Sequence, residues 1–327
     1  MRALWYERFG ASDDVLTFSD MEKPQAQSGE VLVRLAYSGV NPSDAKARAG
    51  DGPGVPHPPY PRIIPHSDGA GVIEVVGRGV DSGRIGEKVW LWNGQWQRAF
   101  GTAAEYIALP AHQAVPLPDA VTLQTGATLG IPALTAAHTV FGGGPVKDKT
   151  LLVSGGAGAV GRNAVQLARW GGATVIATAS AQSRHSVEKA GAHAVFDYSD
   201  PDLSARIRQA APEGIDRAIE VEFGANATLL ADVMRPLGTI ATYGSGKDMT
   251  PTLPFGSYLF KALKIDITLI YLLPLPERQA AIEKLHEALN EGALQPQIQD
   301  VLPLDEGARA HDLVMRPGRA GAVLLEL

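Results

Sequence analysis

The run SGGAGAVG at residues 154–161 constrains the fold more than any other stretch of the chain. It follows the apolar segment LLV (151–153), which reads as a short buried strand, and it opens a stretch with helical spacing over 159–170. Gly171 and Gly172 stop that helix, and ATVIAT (173–178) supplies the next strand. Within the run, Gly156, Gly158 and Gly161 have the G-x-G-x-x-G spacing at a strand-to-helix junction. In such a unit the first glycine permits the tight turn, the second lets a pyrophosphate approach bare backbone, and the third lets helix and strand pack closely. The free N–H groups at the helix start, Ala159, Val160 and Gly161, then face the phosphates, where the helix dipole favours negative charge. A glycine-rich loop without a ligand would explain the spacing alone, but it does not explain the strand, helix and strand in order around it.

The pattern after residue 150 extends this unit. HAVFDY (193–198), GIDRAIEV (214–221), GTIATYG (238–244) and KIDITLIYL (264–272) read as further strands with helical stretches between them, as a doubly wound parallel sheet requires. Before residue 121 the style differs: VLVRLAY (31–37), GVIEVVG (71–77), EKVWLW (87–92) and AAEYIAL (103–109) are β-like runs broken by glycine and proline. The segment 123–141 has helical potential, helices are expected at 277–290 and 305–315, and the last run, AVLLEL, needs a sheet to join. The expected fold class is α/β. A Rossmann domain over 122–272 is inserted into a mostly β domain made of 1–121 and 273–327.

Composition removes several function classes. With no cysteine there is neither a disulfide framework nor a thiolate zinc site nor a cysteine nucleophile. The formal net charge of −6 gives no overall basic field, which weighs against nucleic acid or an anionic membrane as the main partner. Arg2, Glu7 and Arg8 interrupt the apolar residues at the start, unlike a signal peptide, and no long uncharged apolar run follows. A cytoplasmic setting is the expectation.

The cofactor is narrowed by the end of the second strand. An NAD-selective site places an acid about 20 residues beyond the turn to bond the ribose hydroxyls. Here Ala179 and Ser180 stand there, and Arg184 follows one helical turn later, where it can pair with a 2′-phosphate. NADPH is the expected cofactor, although Arg184 alone reads equally as a solvated helix arginine.

Several ordered motifs resemble the medium-chain dehydrogenase/reductases, and within them the zinc-free quinone oxidoreductases that include ζ-crystallin. They are GVNPSDAKARAG (39–50), PHSDGAGVIEVVGRGV (65–80) followed by GEKVW, GTAAEY (101–106), GIPALTAAH (130–138), the glycine turn and AGAHAVFDY (190–198). The resemblance runs along nearly the whole chain and implies that the β-rich domain is GroES-like and catalytic. It places Asn41 where zinc-dependent members have a cysteine ligand and Ser67 where they have a histidine, so no metal is expected. His66 occupies a position that is usually glycine, and Lys46 one where some relatives carry a tyrosine. By the same resemblance Thr135 lies by the nicotinamide and Ser180, Arg184 and Tyr198 lie around the adenosine phosphate. Gly244, Ser245, Thr268 and Leu269 lie near the cofactor, with Asn226 and Arg319 as weaker candidates.

Hydride transfer is the cofactor's chemistry, so the protein mainly has to orient it against an electron-poor substrate. Asn41 is the catalytic candidate through its amide, Asp44 is read as fixing the loop, and Trp92 and Trp96 are candidates for an aromatic wall against a flat quinone or as plain core. Three readings stay open: an NADPH-dependent quinone reductase, a reductase of enones, enals or enoyl thioesters, and an NADPH-binding structural or RNA-binding protein without turnover. The run 264–272 also suggests a homodimer through strand pairing across a twofold axis, as in many members of this family.

Overall fold

A computed structural model describes residues 1–51 and 56–327. Its contacts divide the chain into two compact units, 132–296 and a second one made of 1–131 with 297–327. Both joins lie further along the chain than the expected ones. The helix Leu275–Asn290 packs against Leu134–Phe141, which keeps 273–296 with the inserted unit. At the other join, the turn Leu123–Gly126 packs on strands Asp68–Val76 and Lys88–Leu91 of the β-rich unit.

In the inserted unit six strands form one parallel sheet: β1 (Thr150–Val153), β2 (Thr174–Ala179), β3 (Ala194–Asp197), β4 (Ile215–Glu220), β5 (Met234–Thr242) and β6 (Lys264–Ile267). Their spatial order is β3-β2-β1-β4-β5-β6, so the strand order reverses between β1 and β4. Ligands of such sheets bind outside the carboxyl ends at that switch. The central strands read as apolar runs because both faces are covered, and Leu151, Leu152, Val153, Ala218 and Ile219 are buried. Helices α1 (Leu134–Phe141), α2 (Ala159–Trp170), α3 (Arg184–Lys189), α4 (Leu203–Ala210), α5 (Phe223–Val233), α6 (Phe255–Phe260) and α7 (Leu275–Asn290) complete the unit.

Two sequence expectations change here. The run 264–272 is a strand only as far as Ile267, because β5 ends at Thr242, the ladder partner of Ile267. The chain then turns through a short 3₁₀ segment, Ile270–Leu272, whose first carbonyl accepts from the Arg278 guanidinium at 2.5 Å. The helical stretch 123–141 is broken, since Pro132 has no N–H to donate and interrupts the i→i−4 ladder.

The other unit is built on a seven-stranded, mainly antiparallel sheet. In it Ile298–Pro303 pairs with Ala322–Glu326, and that strand pairs with Glu30–Val40. The final apolar run therefore joins the sheet of the β-rich unit. Its interior holds Val31, Val33, Leu35, Ile73, Val89, Leu91, Ile107 and Leu109. Among the described residues no helix is long and apolar enough to cross a membrane.

Candidate functional site

The glycine turn lies at the carboxyl end of β1, beside the switch in strand order. Ser154 N–H donates to the Ile219 carbonyl at 2.9 Å, and Gly156 N–H donates to the Thr178 carbonyl at 2.8 Å, which pins the turn between β4 and β2. A Cβ on Gly161 would stand 2.2 Å from the Gly155 carbonyl oxygen, and one on Gly156 2.9 Å from Val187 Cγ1. Both positions have to stay bare for the turn to close on α2. A Cβ on Gly158 would meet only the Gly155 carbonyl oxygen, at 3.5 Å, so this residue presents backbone to open space. The left-handed residue is Gly155, at φ +67°, which the G-x-G-x-x-G spacing does not single out. Gly158 caps α2, and the N–H groups of Ala159, Val160 and Gly161 have no carbonyl four residues back within the helix. These are the features a pyrophosphate needs, and the residues fit a dinucleotide.

At the end of β2, Ala179 is buried and Ser180 Oγ donates to Ser183 Oγ at 3.1 Å. Tyr198 follows β3, its N–H 3.4 Å from the Ala179 carbonyl, with a side chain that is 57% exposed. Arg184 opens α3 and pairs with Glu188 at 2.8 Å on the surface. Ser180, Arg184 and Tyr198 therefore gather about one strand end. Arg162 of α2 ties that segment down by donating to the Ser186 carbonyl and hydroxyl at 2.8 and 2.9 Å, a tether that spacing alone does not reveal.

Across the switch, Gly244 follows β5 and its carbonyl accepts from Phe223 N–H at 3.0 Å. Ser245 Oγ accepts from Gly224 N–H at 2.8 Å, so both residues fix the start of α5. Asn226 Nδ2 donates to Ser154 Oγ at 3.1 Å and to Glu220 Oε1 at 3.0 Å. Thr268 is buried just beyond β6 and Leu269 is half exposed. Thr135 is buried in α1, where its carbonyl accepts from Thr139 Oγ1 at 2.7 Å. Arg319 belongs to the other unit, where it donates to the Gly321 carbonyl at 3.2 Å.

In the β-rich unit Asn41 caps the helix Pro42–Ala49 and is buried. Its backbone N–H donates to Asp44 Oδ2 at 2.7 Å and its Nδ2 to Asp68 Oδ2 at 2.8 Å. Both carboxyls are buried. Burial pushes Asp44 up to about 7, against the hydrogen bonds from Asn41. Asp68 is held well above the usual carboxylate range by burial, with the Asp44 charge adding to the effect and the Asn41 hydrogen bond opposing it.

His66 has φ +76°, which accounts for glycine being usual there, and its ring is fully buried. Its Nδ1 lies 2.9 Å from Ser38 Oγ and its Nε2 lies 2.9 Å from Nε2 of His311. Lys46 is exposed, so it is no buried proton donor. Trp92 is buried, with its ring 5.5 Å from His112 and its backbone N–H donating to the Gln113 carbonyl at 3.3 Å, which makes it a core residue. Trp96 is half-buried on a turn with left-handed Asn93 and Gln97, so any aromatic wall rests on this residue.

The zinc positions do not fit a zinc ion. Asn41 and Ser67 offer an amide and a hydroxyl in place of thiolate and imidazole, and the Asn41 amide already donates to Asp68.

Comparison with known proteins adds the family. An alcohol dehydrogenase GroES-like domain model matches residues 27–119, and a zinc-binding dehydrogenase model matches residues 159–288. A quinone oxidoreductase of Lama guanicoe is 30% identical, the match covering 100% of this chain and 98% of that protein. The chain belongs to the quinone oxidoreductase group of the medium-chain dehydrogenase/reductase family. Another relative, the human synaptic vesicle membrane protein VAT-1 homolog, is 28% identical over 99% of this chain and 86% of its own length. Among solved structures, a mycobacterial protein complexed with NADPH has a TM-score of 0.86 at 26% identity, and an NAD-dependent alcohol dehydrogenase has 0.88 at 26%; each match covers 100% of both chains. A nicotinamide cofactor is thus common ground, while the choice between its two forms rests on the residues of this chain.

Proposed function

We propose that this protein is an NADPH-dependent reductase that delivers hydride to a quinone without a metal. The observation that carries the cofactor choice is the end of β2, where no acid stands at Ala179 or Ser180 and Arg184 and Tyr198 flank the same strand end. Ser180 and Arg184 take the 2′-phosphate. The glycine turn and the N–H groups of Ala159, Val160 and Gly161 hold the pyrophosphate. Gly244, Ser245, Thr268, Leu269 and Thr135 line the rest of the cofactor's path, and Asn226 braces the turn through Ser154.

Bound NADPH supplies the hydride, so the protein has to orient the substrate and exclude water. Asn41 serves the substrate from a fixed orientation, because Asp68 holds its amide and Asp44 its backbone. Trp96 offers a flat apolar surface to a quinone ring. The exposed edge of β6, with Ile265 and Ile267 uncovered, supports a homodimer formed through that strand. A monomeric mass at micromolar concentration would remove that part of the reading.

The test is oxidation of NADPH by purified protein against a panel of quinones, enones and enoyl thioesters. Quinone turnover is expected. Turnover with enones or enoyl thioesters alone would replace the substrate class, and tight NADPH binding with no oxidation anywhere would replace the enzymatic reading.

A further inference from the structure

The last residue of β4 is a glutamate, at the point where the strand order reverses and beside the first residue of the glycine turn. Glu220 is 1% exposed. Its Oε1 accepts from Glu222 N–H at 2.5 Å and from Asn226 Nδ2 at 3.0 Å, and the same Nδ2 reaches Ser154 Oγ at 3.1 Å. One carboxyl thus holds together the end of β4, the start of α5 and the start of the turn. Nothing in the hydride chemistry calls for an acid here, and an anionic pyrophosphate on the turn disfavours a charged one.

We propose that Glu220 is the proton-linked group of the cofactor site, taking up a proton when the dinucleotide phosphates bind. The inference rests on the dinucleotide reading of the turn. Two states of the carboxyl are compatible with the geometry. Ionised, it accepts the Glu222 and Asn226 donors; protonated, it keeps Oε1 as their acceptor and carries its hydrogen on the other oxygen. Burial already raises its proton affinity, the hydrogen bonds from Glu222, Asn226 and Ser154 lower it, and the Glu222 charge raises it. The Tyr258 phenol of α6 also faces it, and burial first and the Glu220 charge second push that phenol upward. Phosphates arriving at the turn add negative charge on the same side and shift Glu220 further toward its neutral form. Linkage then fixes the sign: binding takes up protons, and affinity for the dinucleotide falls as pH rises through the range where free Glu220 ionises. The limiting slope is about tenfold in affinity per pH unit.

The experiment is calorimetric titration of the intact protein with NADPH and with NADH in buffers of different ionisation enthalpy, for the wild type and for Glu220→Gln. The glutamine keeps an acceptor at the Oε1 position and cannot ionise. Wild type is expected to take up a fraction of a proton per dinucleotide with both cofactors, and Glu220→Gln is expected to lose that fraction and bind with a flatter pH profile. NADH removes the 2′-phosphate as a source of protons. Proton uptake that is zero in the wild type, or unchanged in Glu220→Gln, would overturn the proposal. Should the variant fail to fold, infrared difference spectra of the wild type decide: a protonated-carboxyl band must grow on adding cofactor, and its absence overturns the proposal. No heat and no band because neither dinucleotide binds would instead defeat the reading of the turn.

Discussion

In the inserted unit the groups offered to a ligand stand at the ends of parallel strands: bare backbone at Gly158, exposed Arg184 and Tyr198 beyond Ala179. In the β-rich unit, polar side chains of comparable chemistry are turned on one another inside the core, with Asn41 bonded to Asp44 and Asp68, and His66 to Ser38 and His311. The first arrangement leaves hydrogen-bonding capacity for a ligand. The second spends most of it on holding one loop geometry in place. Substitutions should accordingly show up as lost affinity in one unit and lost stability in the other.

The largest expected effect is in the β-rich unit. His311→Ala removes the partner of a buried ring nitrogen on His66 and leaves a cavity, so unfolding in denaturant should show a loss of about 2–4 kcal/mol. Cofactor affinity should stay near that of the wild type where the variant is folded. A loss of affinity with unchanged stability would break the contrast between the units.

Next comes Arg184→Ala in the inserted unit. A charge-assisted contact to the 2′-phosphate is worth about 1.5–3 kcal/mol, so NADPH affinity should fall by about tenfold or more while NADH affinity and the melting temperature hold. Equal weakening of both cofactors would show that Arg184 acts only through its pair with Glu188.

A smaller effect sharpens the comparison through pH. Asp44 titrates at about 7 in the folded protein and near 4 when unfolded, so the folded state binds the extra proton between those values. Its contribution is fully present below about pH 4 and is lost as pH rises through about 7. Asp44→Asn should flatten this fall in stability, a difference on the order of 1 kcal/mol in unfolding experiments at pH 6 and 7. The histidines act on the opposite side. Burial and the Arg48 charge push His311 down to about 3, so stability is lost as pH falls below about 6.5 toward that value. The two slopes oppose each other between about pH 4 and 6.5, so the comparison with the variant decides: an Asp44→Asn profile parallel to that of the wild type would contradict the Asp44 assignment.

The inserted unit was the more legible in sequence because its demands are written in residue type. A Cβ is excluded at Gly161 by Gly155, a few residues away, and is crowded at Gly156 by Val187 of α3 and Ala177 of β2, and apolar runs mark strands covered on both faces. Gly155 escaped the spacing because its need for positive φ comes from the turn's backbone path. The strand expected at 264–272 was overextended for a similar reason, since its length is set by where β5 stops.

The buried cluster was illegible for a different reason. Asn41 and Asp68 are 27 residues apart and His66 and His311 are 245 apart, so no local pattern pairs them. The side chain expected to meet substrate, Asn41, is held by partners that only the folded sheet brings near it. Trp92 likewise reads in sequence either as an aromatic wall or as core, and the packing of His112 and Gln113 on it makes it core.

The most direct test of the central claim, a turn that binds dinucleotide and a strand end that selects its phosphate, is the ratio of dissociation constants for NADPH and NADH on the wild-type protein. NADPH is expected to bind tighter by about tenfold or more at moderate salt. NADH binding as tightly as NADPH would contradict it.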